Sequence, residues 1–400
     1  MNIPLIIRLE TTVTIPDKTK LARYERAPEL GPRLLFFSGG SALKPFSQHI
    51  IRYTHNSIHL ITPFDSGGSS AELRKAFHML SVGDIRNRLL ALADQSVRGN
   101  AEVYRLFAYR FPKNESNTSL QKRLDDLICS RPSLIRNIPN PMRKIIRNHL
   151  RDFRKQMPVH FDLRGANIGN LILAAGYLNN ERQIDPVIFI FSRLVEARGI
   201  VRPTIGKDLH LVAELEDGTT VIGQHAITGK ETAPLAQRIR RIYLSGSPDE
   251  VEPVDVEIRS KVKKLIAKAE LICFPYGSFY SSLMANLLPH GIGAAIEANH
   301  CPKLFIPNLG HDPEQQDLPV HESVARLLDH LKSNLGRQTE TNRLLNFVLI
   351  DSENGDYREG CNLKKLRQLG PRIIDTKLVS KNDRVSIDPE KLAPVLLSLT

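Results

Sequence analysis

The sequence predicts an α/β protein with a doubly wound, mostly parallel sheet, a helical insertion and a β-hairpin. Short apolar runs bounded by glycine or proline recur along the chain, and such runs are typical of strands buried on both faces of a parallel sheet. Helical patterns alternate with these runs, as parallel pairing requires. We expect an N-terminal arm over residues 1–31 and a single α/β domain over residues 32–400.

The first predicted unit is a strand, a helix and a second strand at the start of this domain. Residues 33–37 and 57–62 form two apolar runs, and residues 43–53 can form the helix between them. Each run ends at a polar loop that contains glycine. In the arm, residues 5–13 could form an edge strand. The prolines that follow exclude a longer element.

A mainly helical insertion is predicted at about residues 106–160, where no strand pattern occurs. Asn140 and Pro141 predict the start of its last helix, over residues 141–157. This helix has an apolar face and six basic residues: Arg143, Lys144, Arg147, Arg151, Arg154 and Lys155. A solvent-exposed face of a packed helix explains the pattern best, and RNA or membrane-surface binding is the alternative.

The second half of the chain returns to alternating helices and strands. An Asp-Gly turn at residues 217–218 lies between two β-rich runs and predicts a hairpin. Asp388 and Pro389 predict the start of a C-terminal helix. Further strands are predicted over residues 270–274, 303–306, 347–350 and 372–374.

Composition favours a globular protein that binds anions. Basic residues exceed acidic ones by 55 to 43, and the net charge of +12 favours phosphorylated small molecules or nucleotides. A generally basic surface is the alternative. Aromatic residues are only 6% and tryptophan is absent, which argues against nucleic acid as a partner. Four dispersed cysteines and short apolar runs predict a reduced, cytoplasmic protein with no membrane partner.

The first two glycine loops place phosphate- and metal-binding groups after predicted strands. In Ser38–Ser41, the glycines allow close backbone approach, and a helix start can hold a phosphate. A tight turn required only for packing explains this loop equally well. In Asp65–Ser70, Asp65 could bind Mg²⁺ or an acceptor hydroxyl, and helix capping is the alternative. Arg74, one turn further on, could face the phosphates or the solvent.

A third glycine loop, over residues 276–282, offers Tyr280 for stacking on a base or bonding to a sugar. An apolar plug with capping serines explains it equally well. Taken alone, Asp84 is best explained as a helix cap and the Gly169-Asn170 pair as a close helix contact. Because parallel strands end at one edge, we expect the three glycine loops to form one site.

Six motifs in a fixed order carry a family resemblance. They are GGSAL from Gly39, FDSGGSSAELR from Phe64, VGDIRNRLLALAD from Val82, GNLILAA from Gly169, AELEDGTTVIGQ from Ala213 and YGSFYSSLMANLL from Tyr276. In these motifs the sequence resembles the 2-phospho-L-lactate transferase (CofD-like) family, including its YvcK-type branch. The resemblance covers roughly residues 33–316 and implies a Rossmann-like fold, often as a homodimer.

The resemblance implies two functions. The transferase branch moves a phospholactyl group from a guanylyl carrier to a deazaflavin with Mg²⁺, and we expect a related transfer here. The alternative is the YvcK-type function, regulatory binding of a UDP-sugar or dinucleotide without catalysis. Asp65 is implied as the catalytic residue and metal ligand. The implied ligand- and phosphate-binding residues are Gly39, Gly40, Ser41, Ser66, Gly67, Gly68, Ser69, Arg74, Asp84, Asn87, Asn170, Gly277, Ser278, Tyr280, Ser281 and Asn308.

Several departures from the family pattern predict a divergent branch. The family commonly has two adjacent acids where this chain has Asp65-Ser66, and losing one would weaken a carboxylate–Mg²⁺ site. Ala166 stands where the family usually has histidine. The Gly-Pro-Gly-Ser loop of the family is here Pro275–Ser278. This altered loop leaves the identity of the nucleotide open.

Overall fold

The computed structural model describes residues 12–94, 100–229, 233–335, 337–380 and 382–400. The helices are α1 Lys18–Arg26, α2 Lys44–Ile50, α3 Gly68–Phe77, α4 Gly83–Ala91, α5 Asn100–Ala108, α6 Asn117–Ile128, α7 Ser133–Arg136, α8 Met142–Gln156, α9 Ile168–Asn179, α10 Ile184–Leu194, α11 Gln224–Thr228, α12 Ser260–Ala267, α13 Ala285–Leu287, α14 Ile292–Ala298, α15 Val320–Ser333, α16 Thr341–Leu344, α17 Leu363–Gln368 and α18 Pro389–Ser398. The strands are β1 Leu34–Ser38, β2 Ile58–Ile61, β3 Ile200–Pro203, β4 His210–Leu215, β5 Thr220–Ile222, β6 Ile239–Ser245, β7 Leu271–Phe274, β8 Lys303–Phe305, β9 Phe347–Ile350, β10 Arg372–Asp375, β11 Val379–Ser380 and β12 Asp383–Ile387. A 3₁₀ turn at Pro28–Leu30 and a π-helical turn at Phe279–Met284 complete these elements. Within the described ranges, no helix has the length and apolarity needed to cross a membrane.

The central sheet has seven strands in the order β10-β9-β8-β7-β1-β2-β3. Every neighbouring pair in it is parallel. The chain builds outward from β1 in one direction through β2 and β3, then returns beside β1 with β7 and builds the other way. This doubly wound order confirms the predicted fold class and places the switch point between β1 and β7.

Both faces of the sheet are covered, which explains why its strands read as continuous apolar runs. In β1, the side chains of Leu35 and Phe37 pack into a core with helices α12–α15, whereas Leu34 and Phe36 pack on the opposite face against α2 and α18. All four side chains are fully buried. The alternation along a single strand therefore joins two hydrophobic layers through one sheet.

The predicted hairpin is part of a small antiparallel sheet of order β5-β4-β6. Its third strand, β6, was not predicted from the sequence, because Arg240 and Arg241 interrupt its apolar pattern. Both arginines pair with Glu214 on the neighbouring strand, at 2.9 and 2.6 Å. Strand β6 is therefore recognisable from its pairing with β4 and not from its own pattern of apolar residues.

The helical insertion is confirmed, with α5–α8 between β2 and β3 and no strand among them. The buried face of α8 includes Ile146, Leu150 and Phe153. On its basic side, Arg147 donates to the Ile128 carbonyl oxygen at 2.6 Å and Arg154 pairs with Asp125 at 3.1 Å. These local contacts favour the packed-helix interpretation of the basic residues.

One prediction at a helix start is wrong, and the strand predicted in the N-terminal arm stays a prediction over most of its length. The side chain of Asn140 does not cap α8, because Pro141 occupies the N-cap position and no side-chain cap bond forms. In the arm, the predicted strand over residues 5–13 lies mostly outside the described residues, and residues 12–13 form no strand. The arm instead contributes α1, where the Asp17 N–H donates to the Ser398 hydroxyl of α18 at 2.8 Å.

Helix α4 holds the loop that follows β1. Arg88 of α4 is fully buried, and its guanidinium donates to the Gly39 carbonyl oxygen at 2.8 Å and to the Ser38 hydroxyl at 3.3 Å. The same side chain donates to the hydroxyl of Ser47 on α2. One buried cation therefore joins β1, the first glycine loop and two helices.

Replacing Arg88 by methionine, which fills similar space without donors, should destabilise the protein by about 2–4 kcal/mol, because buried oxygens lose their partners. The matched control is Arg105→Met on α5, where the exposed arginine pairs with Glu102 at 3.1 Å and donates to the Ala101 carbonyl oxygen at 3.3 Å. The control should change the free energy of unfolding by at most about 0.5 kcal/mol. Urea titration followed by circular dichroism measures both, and equal effects would contradict this role of Arg88.

Candidate functional site

The three glycine loops lie at the same edge of the sheet, as expected. They follow β1, β2 and β7, which are adjacent and parallel. Between the first and third loops is a narrow cleft lined by residues 37–43, 275–278 and 282–283. It continues outward into a groove of about 310 Å³, which shares Ala42 and residues 276–278 with it. We call the two together the glycine cleft.

The third glycine loop is fixed in shape by Asn308, which follows β8. The Gly277 N–H donates to the Asn308 Oδ1 at 2.6 Å, and the Asn308 Nδ2 donates to the Gly277 carbonyl oxygen at 2.7 Å. Gly277 has a φ of +129°, a conformation that side chains rarely adopt. The predicted residues Gly39, Gly40, Ser41, Gly277, Ser278 and Asn308 are thus brought together around the glycine cleft.

Asp65 and Asp84 form a carboxylate pair beside this cleft. A Cβ atom on Gly83 would lie 2.8 Å from the Asp65 Oδ2, and a Cβ atom on Gly40 would lie 2.1 Å from the Asp84 Oδ1. Both carboxylates therefore approach the backbone at positions that only glycine permits. Asp84 lies inside the first turn of α4 and does not cap it, since Val82 holds the N-cap position. The cap interpretation of Asp84 is wrong.

The environment of Asp84 opposes its ionisation. Burial, and then the neighbouring charge of Asp65, raise the pKa of the Asp84 carboxyl to about 7. Arg88, Arg86 and the Gly40 N–H act in the opposite direction and favour the charged form. Two acidic groups held together at a cleft are typical of a site that takes up a cation or a proton.

The donor set at this pair fits Mg²⁺ as a partly hydrated ion. The described residues contain no group of three or more His, Cys, Asp or Glu side chains arranged to hold a metal. Magnesium in phosphate-binding sites commonly takes only one or two carboxylates and completes its shell with water and phosphate oxygens. Asp65 uses its Oδ1 to accept the Gly67 N–H at 3.1 Å. Asp65 and Asp84 are therefore the residues that would hold the ion.

On the other side of the carboxylate pair is a cavity of about 360 Å³. We call it the basic cavity; its lining is Asp65, Gly67, Gly68, Ser69, Ser70, Glu72, Gly83, Arg86, Asn87, Arg110, Lys113, Asp162, Arg164, Gly165, Ala166 and Asn170. Five predicted ligand residues therefore share this cavity with Asp65. They are Gly67, Gly68, Ser69, Asn87 and Asn170.

Four basic residues of this cavity were missed by the sequence reasoning. Arg86 belongs to a motif that was assigned to capping and family resemblance. Arg110 and Lys113 follow α5 in the insertion, and Arg164 precedes α9. Nothing in the local sequence distinguishes these three from other basic residues, because their convergence depends on how the insertion packs onto the domain.

Ser66 faces away from the carboxylate pair. Its hydroxyl lies 2.8 Å from the His225 Nδ1 and also accepts the His225 backbone N–H at 3.2 Å. Ser66 therefore joins the second glycine loop to α11, the short helix that follows β5 of the small antiparallel sheet. The second acid of the candidate site comes from α4 rather than from the position next to Asp65.

Besides Ser66, three further predicted ligand residues point elsewhere: Arg74, Tyr280 and Ser281. Arg74 is buried and pairs with Asp208 at 2.8 Å, and it also donates to the Phe64 and Leu209 carbonyl oxygens at 3.0 and 2.7 Å. It lines neither the glycine cleft nor the basic cavity. These contacts indicate a structural role for Arg74, connecting α3 to the segment before β4.

Tyr280 and Ser281 lie behind the third glycine loop. The buried Glu314 accepts both of their backbone N–H groups, at 2.9 and 2.8 Å. The Tyr280 hydroxyl accepts a hydrogen bond from Arg326 of α15 at 2.6 Å and points into the core. The expected stacking of Tyr280 on a base is therefore not available in this conformation, and the tyrosine anchors the loop instead.

Comparison with known proteins gives a family assignment. The model of the family described as 2-phospho-L-lactate transferase CofD matches residues 34–387. The chain belongs to this family. The match spans all seven strands of the central sheet, and it confirms the family predicted from the motifs.

Two relatives and one solved structure are similar to nearly the whole chain. A gluconeogenesis factor of Bacillus subtilis is 26% identical over 376 residues, covering 92% of this chain and 98% of that protein. A gluconeogenesis factor of Listeria monocytogenes is 27% identical, covering 93% and 96%. A crystal structure of a UPF0052 family member from Bacillus halodurans superposes with a TM-score of 0.68 at 23% identity, covering 92% and 99%. That last likeness concerns the fold.

The raised pKa of Asp84 predicts a specific pH dependence of stability. From the usual carboxyl value of 3.8 up to about 7, the folded protein holds a proton that the unfolded chain has lost, so Asp84 becomes increasingly destabilising as the pH rises. Asp84→Asn removes this pH-dependent destabilisation, because an amide does not ionise. Without divalent cations, we expect the free energy of unfolding of Asp84→Asn relative to the parent to rise by about 1–3 kcal/mol between pH 5 and pH 8.

Urea titrations at several pH values measure this difference directly. Asp126→Asn on α6 is the control, because that carboxylate pairs with Arg131 at 2.6 Å on the insertion. Its difference from the parent should stay flat over the same pH range. A flat difference for Asp84→Asn would show that the carboxylate pair does not oppose ionisation.

Proposed function

We propose that the protein binds a nucleotide or a nucleotide-linked phosphorylated ligand with Mg²⁺ and transfers a phosphoryl-linked group from it. The carboxylate pair Asp65/Asp84, which lies beside the switch point of the parallel sheet and next to the first and second glycine loops, carries the proposal. Ligands of doubly wound folds bind at this position, outside the carboxyl ends of the strands. Membership of the CofD family supports this class of reaction.

Phosphate binding is supported by the backbone of the glycine cleft. Gly39 and Gly40 line the cleft without side chains, so a phosphate can approach the backbone of this loop closely. Neither position can take a larger residue, because a Cβ atom on Gly39 would lie 2.4 Å from the Ser282 hydroxyl oxygen. The cleft therefore retains its glycines for steric reasons as well as for ligand access.

In the proposed reaction, Asp65 and Asp84 would hold Mg²⁺ beside the cleft. When bound, the ion would neutralise phosphate charge, which favours transfer. Arg88 donates a hydrogen bond to the Gly39 carbonyl oxygen and so keeps that oxygen directed toward the buried guanidinium. The residues of this chain thus contribute mainly position and charge, as is usual in phosphoryl-transfer sites.

Regulatory binding without turnover is the second candidate. Its support is that the relatives are named gluconeogenesis factor and not transferase. Both candidates use the same cleft, and a turnover assay separates them. Dimer formation and a cytoplasmic location remain proposals that accompany either function.

Asp65→Asn and Asp84→Asn should each weaken Mg²⁺-dependent nucleotide binding by about tenfold or more, equivalent to roughly 1.4 kcal/mol. The amide keeps the volume of the side chain but loses the charge that holds the ion. Calorimetric titration of GDP, UDP-sugars and NADP, with and without Mg²⁺, measures the effect. Asp126→Asn should bind as the parent does.

The same titrations decide between a ligand role and a structural role. If both site variants bind every nucleotide like the parent while their melting temperatures fall, the carboxylates only stabilise the fold. If the parent itself binds none of these nucleotides with Mg²⁺ present, the proposed function is wrong.

A further inference from the structure

The basic cavity is a second opening on the carboxylate pair, separate from the glycine cleft. Asp65 and Gly83 line it, whereas Gly39 and Gly40 line the cleft. Asp84 touches the cleft side, since a Cβ atom on Gly40 would collide with its carboxylate. Two ligands could therefore reach the pair from opposite sides.

Arg86 is the feature of this cavity that a ligand-free protein does not explain. Only 6% of the side chain is exposed, yet its Nε and Nη1 have no hydrogen-bond partner among the described residues. Its Nη2 donates to the Asn87 Oδ1. Burial, and then the nearby charge of Arg110, lower the pKa of Arg86 to about 10. Buried donors of a charged group are costly unless a partner is present.

The packing around Arg86 shows that its position is built in. Its Cδ would lie 2.9 Å from a Cβ atom on Gly169, so the first turn of α9 must carry glycine for the side chain to reach the cavity. Nearby, the buried Asn170 Oδ1 also lacks a hydrogen-bond partner in the described structure. Both a donor pair and an acceptor are thus left for an occupant of the cavity.

Further charged side chains line the basic cavity. Arg110 donates its Nη1 to the Gly165 carbonyl oxygen at 2.8 Å, which places a second guanidinium at the cavity. Lys113 adds a third cation. Arg164 is engaged by Asp162, with the Arg164 Nη2 lying 2.8 Å from the Asp162 Oδ2, so these two neutralise each other. Arg86, Arg110 and Lys113 then face a cavity of a size that suits a small metabolite.

We propose that the basic cavity binds a second small molecule, a phosphomonoester, whose phosphate is held by Arg86 together with Arg110 and Lys113. Guanidinium groups recognise phosphate oxygens by parallel hydrogen bonds. The three cations exceed the charge of a dianion by one, and the carboxylates of Asp65 and Glu72 also line the cavity. The inference rests on the proposed function in one respect: within it, this molecule is the acceptor or the coligand of the nucleotide. The binding site itself stands on Arg86 and the cavity alone.

Calorimetric titration of glycerol phosphate into the full chain tests the proposal, with glycerol as the uncharged comparison. Arg86→Gln and the exposed-site variant Arg110→Gln should each weaken glycerol phosphate binding by about tenfold or more. Arg131→Gln, which removes an arginine of the insertion paired with Asp126, should bind like the parent. Far-ultraviolet circular dichroism shows whether Arg86→Gln remains folded, and Arg110→Gln keeps the test valid if it does not.

The outcomes separate this inference from the proposed function. Binding of glycerol phosphate that persists in both site variants, or that saturating Mg²⁺-nucleotide abolishes by competition, would overturn the second site. In that case nucleotide binding in the glycine cleft would stand. If glycerol phosphate binding depends on Arg86 but the protein binds no nucleotide, the phosphomonoester site is supported and the proposed nucleotide function is wrong. If glycerol phosphate and a nucleotide bind at the same time, both proposals are supported.

Discussion

The charges that α4 carries into the protein interior are the constraint on which the rest of the site depends. Arg88 holds the Gly39 carbonyl oxygen, and Asp84, one turn earlier, lies against Gly40. Opposite charges from one helix therefore fix the two glycines of the first loop. Buried ions are expensive unless they are paired and hydrogen-bonded, so this arrangement tolerates little change. Any shift of α4 would move the loop, the carboxylate pair and the cleft together.

The same helix also keeps groups that the fold alone does not satisfy. Burial, and then repulsion from Asp65, raise the pKa of Asp84, and Arg86 has donors at the basic cavity without a partner among the described residues. Stability is commonly sacrificed in this way where a site must receive ligands of the opposite charge. A cation bound at the carboxylates would reduce the repulsion between them. An anion bound at Arg86 would accept hydrogen bonds from its buried donors. The two openings are thus electrostatically complementary to a metal-bound nucleotide and a phosphorylated small molecule.

The departure at Ser66 acquires a different meaning in the structure. From the sequence, serine in place of a second acid suggested a weakened metal site. Ser66 instead bonds to His225 and joins the second glycine loop to the small antiparallel sheet, while Asp84 supplies the second carboxylate. The acid count at the candidate site is therefore two despite the substitution. The serine instead provides a contact between the second glycine loop and the helix beside the small antiparallel sheet.

The sequence by itself determined the glycine loops, the helical insertion, the family and six of the seven strands of the central sheet, but not β3 at its edge. Strands such as β1 and β7 are short apolar runs that end in glycine, a local signal that needs no knowledge of partners. Only the tertiary structure decided that Asp84 belongs to a carboxylate pair rather than a cap, that Arg86 lines a cavity, and that Tyr280 points into the core. These side chains act through residues far away in the sequence. Their direction follows from how helices pack across the sheet edge, and that packing is set by the whole core rather than by neighbouring residues.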